Sequence, residues 1–171
     1  MTFDSFEEYY GFLDGDIYED ACYYQYAFED EFCDRLFNIR GAVAMSNTGA
    51  DTNESAFFIN QKTAETYKNE GGWEHLASQW DSIKTQLANY KDSNLLTAFI
   101  EKNGTNCYDT DSVPDSVKKL YEENGGNAYL DGAYNAVDRG CTVFAQVIDG
   151  MDVVDLSLIH ISEPTRRVVI S

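Results

Sequence analysis

The chain has 171 residues, a length typical of about one domain and sufficient to bury a substantial core. Its formal net charge of −18 argues against a nucleic-acid or anionic-membrane partner, because too few Lys and Arg are present to displace counterions. No apolar run approaches the roughly 20 residues that cross a bilayer, and no secretory leader begins the chain, so as written it is expected to be cytoplasmic.

Residues 1–34 combine a high density of Asp and Glu with many Phe and Tyr, and they contain no Lys or Arg. This composition fits either an acidic interaction tail or a partly buried segment, and the density of large rings favours the buried segment. The four cysteines of the chain form no C-x-x-C pair, which makes a zinc site improbable. We therefore expect ordinary reduced thiols and no zinc site.

A β-hairpin is predicted between Arg40 and Gln61. Two short apolar runs, residues 42–45 and 56–59, flank a polar stretch that contains Asn47, Gly49 and Asn53. Such residues tolerate positive φ or bond their own backbone, so the loop can fold back tightly.

Residues 62–128 are predicted to form a small helical lobe. Apolar residues recur every three or four positions from Trp73 to Tyr90, a spacing that places them on one stripe of a helix. Two further helices are expected at about residues 93–102 and from Pro114 to Gly125. His75 is interpreted as a surface or packing residue.

A buried strand is predicted at residues 141–147, which are rich in β-branched and aromatic types. The turn signal Asp149-Gly150 follows, and a short helix is expected to begin at Met151. Residues 156–166, LSLIHISEPTR, resemble the translation of an adapter used in sequencing libraries. Residues 156–171 are therefore interpreted as a non-native tail without functional weight, with a final amphipathic strand as the alternative.

Two motifs resemble those of cyclophilin-type peptidyl-prolyl isomerases. The stretch from Met45 to Ile59, MSNTGADTNESAFFI, is similar to the family pattern M-A-N-x-G-x-x-T-N-G-S-Q-F-F-I, and Phe28-Glu-Asp-Glu-Phe32 resembles the F-x-D-E-F segment that precedes it in bacterial members. The second motif consists of Tyr129-Leu-Asp-Gly-x-Tyr134 and TVFAQVIDGMDVVD, residues 142–155. It looks like the family's L-D-G-x-[HY] turn and V-F-G-x-V-x-x-G-M-D-V-V.

The resemblance implies an α+β fold: a partial cyclophilin-like antiparallel β-barrel, residues 1–61 and 129–155, with the helical lobe 62–128 inserted. It implies no cofactor, because the family twists the X-Pro amide within an apolar pocket beside an arginine. Proline-containing peptides or unfolded chains are the implied partners, and a monomer is expected. The substrate-binding residues carried over from the two motifs are Ser46, Asn47, Ala56, Phe58, Tyr129, Leu130 and Tyr134.

Three departures from the family pattern bear on activity. No arginine precedes Arg35, so the F-H-R and Q-G-G-D segments that supply the family's catalytic arginine are missing, and no catalytic residue is identified. Ala56 replaces the family's glutamine, and Glu54 replaces a glycine. We expect an N-terminally truncated member that is nearly inactive, with a divergent member of the family as the alternative. If the parent protein is exported, its signal would have been lost with its N-terminus.

Three functions stay open from the sequence. The leading hypothesis is a peptidyl-prolyl cis-trans isomerase of the cyclophilin type. The second is a non-catalytic cyclophilin-like module that binds proline peptides, which Ala56 and the missing arginine motivate. The third, an acidic scaffold fragment, requires both motifs to be coincidental.

Overall fold

The computed structural model describes residues 27–90 and 94–161, with side chains described up to residue 157. Most of the acidic segment 1–34 and of the tail 156–171 therefore lies outside the described residues. Within that part, strands and helices are mixed, which agrees with the predicted α+β class. No helix there is both long and apolar enough to cross a bilayer.

Three antiparallel strands form one open sheet in the order β2-β1-β3: β1 Ala42–Met45, β2 Phe57–Ile59 and β3 Val143–Gln146. Strands β1 and β2 form the predicted hairpin, with Ala44 opposite Phe58. Strand β3 joins the other edge of β1 with a bulge between Val43 and Ala44. The two motifs thus share a sheet, consistent with part of a cyclophilin-like fold, but the described strands do not close into a barrel.

Five α-helices complete the described structure. They are α1 Ala64–Asn69, α2 Gly72–Tyr90, α3 Leu95–Asn103, α4 Asp115–Asn124 and α5 Met151–Ile161. Helices α2, α3 and α4 confirm the helical predictions. Helix α1 was not predicted, and its N-cap is Thr63, whose hydroxyl accepts a hydrogen bond from the Thr66 amide at 3.1 Å. Pro114 is the N-cap of α4 rather than a residue of its first turn.

The main core lies among the helices rather than beneath the sheet. Tyr67 of α1, Leu76 of α2, and Val117 and Tyr121 of α4 are buried together, and Trp73 packs against them. The stripe along α2 is confirmed as a packing face, since Leu76 and Trp80 are its buried residues. Rings at distances near 6 Å from one another fill this core, as expected where flat side chains pack edge to face.

The prediction that residues 141–147 form a buried strand is wrong about burial. Strand β3 is present, but Phe144 is 53% exposed, and Phe57 across the sheet is 61% exposed. The two rings contact each other edge to face at 6.3 Å. Because no described element covers this face of the sheet, strand-forming residues are present without the burial that their composition indicates.

Candidate functional site

The segment Phe28–Phe32 is attached to the hairpin loop, so the upstream motif and the first main motif meet. Phe28 and Asn53 form an antiparallel bridge. Asp30 and Asp51 exchange two hydrogen bonds of 2.9 Å, each backbone amide donating to the other's carboxylate, and Asn53 Nδ2 donates to Asp30 Oδ1 at 2.7 Å. The loop is therefore held by side-chain hydrogen bonds in addition to its own turn residues.

Ser46, Asn47 and Ala56 lie at the loop end of the hairpin, just beyond the last strand pair Met45 and Phe57. The Ser46 amide donates to the Ala56 carbonyl at 2.9 Å, so this donor is already used within the hairpin. The Asn47 side chain turns inward, where Nδ2 donates to the Gly140 carbonyl at 2.7 Å. Its amide thus ties the loop to the residues that precede β3.

Short 3-10 turns carry the second motif, Ala128–Leu130 and Gly132–Tyr134. The Tyr134 ring packs edge to face on Tyr108 at 6.4 Å, and its carbonyl accepts a hydrogen bond from the Asp109 amide at 2.8 Å. Gly132 lies against the Phe32 ring, where an added Cβ would come within 2.3 Å of a ring carbon. The upstream segment therefore contacts the second motif as well as the first.

A buried chain of amides connects the two motifs. Asn60 follows β2 and donates through Nδ2 to Asn38 Oδ1 at 3.1 Å, while Asn127 donates to Asn60 Oδ1 at 2.8 Å. Asn38 in turn donates to Asp131 of the Leu-Asp-Gly turn. Asn38 and Asn60 are each 1% exposed and Asp131 is 3% exposed, so these hydrogen bonds are shielded from water.

Asp131 is the ionisable end of this chain of hydrogen bonds. The hydroxyl of Tyr121 on α4 donates to its Oδ2 at 2.5 Å. Burial raises the pKa of the Asp131 carboxyl to about 6, although the hydrogen bonds from Tyr121 and Asn38 act in the opposite direction by stabilising the charged form. Burial and the neighbouring carboxylate raise the pKa of Tyr121 well above its ordinary value.

Phe58 and Tyr134, the two walls expected for the proline ring, lie on separate elements. Phe58 is half-buried on β2, and Tyr134 is half-buried at the second 3-10 turn. The amide chain connects their neighbourhoods, since Asn60 stands two residues after Phe58 and Asp131 three residues before Tyr134. Leu130 is tied to the start of the β3 region, because its carbonyl accepts from the Cys141 amide at 2.8 Å.

Tyr129 lines an open cavity of about 500 Å³ between the helical lobe and the second motif. Lys62 Nζ lies 5.8 Å from the centre of the Tyr129 ring and 2.7 Å from Glu70 Oε2. His75 and Gln79 of α2 also line this cavity. The lobe thus contributes surface directly beside one of the residues that the resemblance assigns to substrate.

Two arginines of the described residues, Arg40 and Arg139, make tertiary contacts. Arg40 donates to the Gln61 carbonyl and pairs with Asp155 of α5, so it anchors that helix beside β2. Arg139 Nη1 donates to the Thr48 carbonyl at 3.3 Å. These contacts give both guanidinium groups structural roles.

Comparison with known proteins agrees with the motifs. Residues 7–77 match the family model described as cyclophilin type peptidyl-prolyl cis-trans isomerase/CLD. A protein of Streptococcus pyogenes serotype M6, provisionally named a bifunctional phosphatase/peptidyl-prolyl cis-trans isomerase, is 31% identical over 130 residues, which are 74% of this chain and 18% of that protein. A provisionally named peptidyl-prolyl cis-trans isomerase of Staphylococcus saprophyticus is 30% identical over 128 residues, 75% of this chain and 44% of that protein.

The chain thus contains a region that matches the cyclophilin-type peptidyl-prolyl cis-trans isomerase family model, and about three quarters of its length is similar to proteins named as such isomerases. It spans less than half the length of these curated relatives. The family match begins at residue 7, whereas the resemblance based on the motifs begins only at Phe28. Residues 7–26 lie outside the described part of the chain.

Sequence reasoning missed the residues that hold the site together. Asn38, Asn60, Tyr121 and Asp131 are buried and joined by hydrogen bonds, yet none was singled out. Asn and Asp beside Gly or at strand ends are typical of turns, and nothing in their spacing indicates burial. The available signal was the position of Asp131 within the Leu-Asp-Gly turn of the second motif, although Asp side chains are mostly exposed in folded proteins.

Proposed function

We propose that this chain carries the proline-binding half of a cyclophilin-type peptidyl-prolyl isomerase that acts on X-Pro bonds in peptides or unfolded chains. The observation that carries this proposal is the buried connection between the two motifs, from Asn60 beside Phe58 to Asp131 beside Leu130. Residues separated by about 70 positions in the sequence are thereby held in one unit. The expected substrate-binding residues are those carried by the two motifs.

Isomerisation of an X-Pro bond requires little of the protein beyond a binding site of suitable shape. Rotation about a peptide bond has a barrier of about 18–20 kcal/mol because resonance keeps the amide planar, and X-Pro bonds populate the cis form because their trans preference is small. A catalyst must bind the twisted amide more tightly than either planar isomer. Phe58, Leu130 and Tyr134 would supply apolar contacts to the ring, and such contacts need no metal or nucleophile.

Peptide binding and catalysis of isomerisation should be separable in this chain. Because Ala56 stands at the family's glutamine position and no catalytic arginine is identified, the chain should bind a proline peptide while accelerating its isomerisation very little. A titration of the chain with a short proline-containing peptide, followed by NMR amide shifts, measures binding. Exchange spectroscopy of the same peptide measures the cis-trans rate, and a longer protein in which the family's F-H-R and Q-G-G-D segments precede this chain should raise that rate.

The hairpin offers a matched pair of variants for this experiment. Phe57 and Phe58 are adjacent on β2 and therefore point to opposite faces of the sheet. Phe58→Ala should weaken peptide binding at least about tenfold, as expected when a buried aromatic contact is lost from a binding site. Phe57→Ala should leave binding nearly unchanged. Equal effects of the two variants, or absence of binding by the unmodified chain, would refute the proposal.

A non-catalytic binding module is the second candidate, and Ala56 is the observation that favours it. Its methyl side chain cannot make the polar contact that the family's glutamine provides. In this case the longer protein would bind proline peptides and still leave the isomerisation rate at the uncatalysed value. Ala56→Gln in that longer protein would then be the direct test for recovery of turnover.

A further inference from the structure

Helix α4 of the inserted lobe reaches the turn that carries the second motif. Tyr121 is fully buried on this helix, and its hydroxyl donates to Asp131 Oδ2 at 2.5 Å. Asp131 lies between Leu130 and Gly132, and its amide closes the first 3-10 turn by donating to the Ala128 carbonyl at 3.0 Å. One hydroxyl therefore links the lobe to the backbone of the motif.

The other oxygen of the same carboxylate is held from the opposite side. Asn38 donates to Asp131 Oδ1 from its backbone amide at 2.9 Å and from its side chain at 3.0 Å. The carboxylate is thus clamped between the lobe and the hairpin side of the molecule. Hydrogen bonds to a buried charge are among the stronger ones in proteins, and removing one leaves part of that charge unpaired.

The geometry points to Tyr121 as a positioning residue for the proline-binding site: its hydroxyl holds Asp131, and through it the turn from Leu130 to Tyr134, in the orientation that receives the peptide. This inference rests on the function proposed above and assigns the lobe a role in it. Tyr121 itself does not touch substrate, and its effect passes through Asp131. The lobe is then a support for the site rather than a separate appendage.

A neighbouring tyrosine supplies a matched control. Tyr67 lies in the same core, with its ring 6.1 Å from that of Tyr121, and it is 5% exposed. Its hydroxyl is buried and makes no hydrogen bond within the described residues. Tyr121→Phe and Tyr67→Phe therefore each remove one buried hydroxyl from one aromatic cluster, but only Tyr121→Phe releases Asp131.

The first measurement is amide hydrogen exchange in the full chain. Tyr121→Phe should raise exchange of the Asp131, Tyr134 and Cys141 amides by about tenfold or more relative to the amides of α2, because the turn loses a hydrogen bond to a charged group. Tyr67→Phe should leave that ratio unchanged. Indistinguishable ratios in the two variants would overturn the inference.

The second measurement is peptide affinity as a function of pH, using the short proline-containing peptide of the previous experiment. Tyr121→Phe should weaken peptide binding about fivefold or more. It should also move the midpoint of the curve of affinity against pH to a higher pH, because the Asp131 carboxylate loses a donor that favours its charged form. The titratable groups that interact with Asp131 are Tyr108, Tyr121 and Tyr134, and burial, with a smaller contribution from the Asp131 carboxylate, raises the pKa of all three. They stay neutral between pH 5 and 7, so the midpoint reports on the carboxyl group.

The outcomes separate this inference from the proposed function. Absence of peptide binding by the unmodified chain refutes the proposed function, and the exchange ratio then decides alone whether Tyr121 positions the turn. Unchanged affinity in Tyr121→Phe, with binding intact in the parent, overturns the positioning role. If Tyr121→Phe does not fold, a pH titration of the unmodified chain followed by NMR replaces it. The Leu130 and Tyr134 amide shifts should then change with the same midpoint as the Asp131 carboxyl group. A different midpoint for these amide shifts would overturn the inference.

Discussion

Asn38 donates two hydrogen bonds to a single oxygen of Asp131, one from its backbone amide at 2.9 Å and one from its side chain at 3.0 Å. Both residues are almost fully buried, and they are separated by 93 positions in the chain. Local structure alone could not produce this pairing. It marks the place where the segment before the hairpin and the second motif become one unit.

Replacing Asn38 should therefore destabilise the chain more than its size suggests. Asn38→Ala removes the side-chain donor to Asp131 and the acceptor for Asn60 Nδ2, while the backbone donor to Asp131 remains, so a buried carboxylate and a buried amide each lose one partner. We expect the free energy of unfolding in urea to fall by about 3 kcal/mol. Asn89→Ala, at an exposed position of α2, is the control and should change it by less than about 0.5 kcal/mol. Similar changes in both variants would show that the buried pairing contributes little.

The buried Asp131 carboxyl should make stability decrease as pH rises. Its folded-state pKa is about 6, above the ordinary value of 3.8, so the folded state binds the proton more tightly than the unfolded state does. The stabilisation is fully present below about pH 4 and is lost as pH rises through about 6, with a total of about 3 kcal/mol. Asp131→Asn should remove this dependence.

The measurement is the difference between urea unfolding curves of parent and variant from pH 4 to 7. Differences are needed because the remaining acidic residues also make stability depend on pH through mutual repulsion. Asp138→Asn, which removes an exposed carboxylate nearby, should leave the slope of the parent almost intact. A parent whose stability increases steadily over this range, and in the same way as that of Asp131→Asn, would contradict the assignment.

Much of the local structure could be predicted because its signals are periodic. The stripe from Trp73 to Tyr90 predicted α2, and the alternation of apolar runs with a turn-rich loop predicted the hairpin. Helix α1 was missed because six residues are too few to show a stripe. The adapter-like tail and the boundaries of the inserted lobe stay predictions, with α5 extending to Ile161.

The motifs of the candidate site could be predicted from the sequence, but the buried residues that support them could not. Phe58 and Tyr134 could be named from residue patterns, but the partners of Asp131 depend on which distant segments meet. Tyr121 illustrates the difficulty, since in the sequence it is only one apolar position on α4. Its hydroxyl acquires a role only when the helix lies beside the turn, which is a tertiary fact.

Removing the hydroxyl of Tyr67 should not harm stability. This oxygen is buried and makes no hydrogen bond within the described residues, and burial raises the pKa of its phenol. A buried polar group without a partner costs roughly 1–3 kcal/mol, so Tyr67→Phe should leave the free energy of unfolding unchanged or increase it by about 1 kcal/mol. Thermal unfolding of the parent and the variant tests this directly. A clear loss of stability would show that an ordered water satisfies the hydroxyl.

The exposed face of the sheet should bind apolar probes. Phe57 and Phe144 present adjacent rings that are more than half exposed, and Ile148 nearby is 96% exposed. Phe144→Thr replaces the aromatic ring with a β-branched residue that also favours strands, and it should reduce binding of an apolar fluorescent dye, with a change in stability below about 1 kcal/mol. Leu95→Thr, which removes an exposed apolar side chain from α3, is the control and should leave dye binding unchanged. Equal dye binding by the parent and by Phe144→Thr would show that this face is covered.

Two glycine substitutions distinguish the energetic cost of an unfavourable backbone conformation from the cost of a steric collision. Gly126 has φ +109 and forms a bridge with Ile39, and an added Cβ would come within 2.2 Å of the Asn38 carbonyl oxygen. Gly150 has φ +84, but a Cβ there would meet nothing within 4 Å. Gly150→Ala should therefore cost only the conformational penalty of about 1–2 kcal/mol. Gly126→Ala adds a collision with backbone and should cost at least about 2 kcal/mol more, since the Asn127 amide also bonds the Asn38 carbonyl there. The free energies of unfolding of the two variants, measured in urea, test this prediction. Equal decreases would mean that the segment beside Asn38 can move aside without disturbing Asp131.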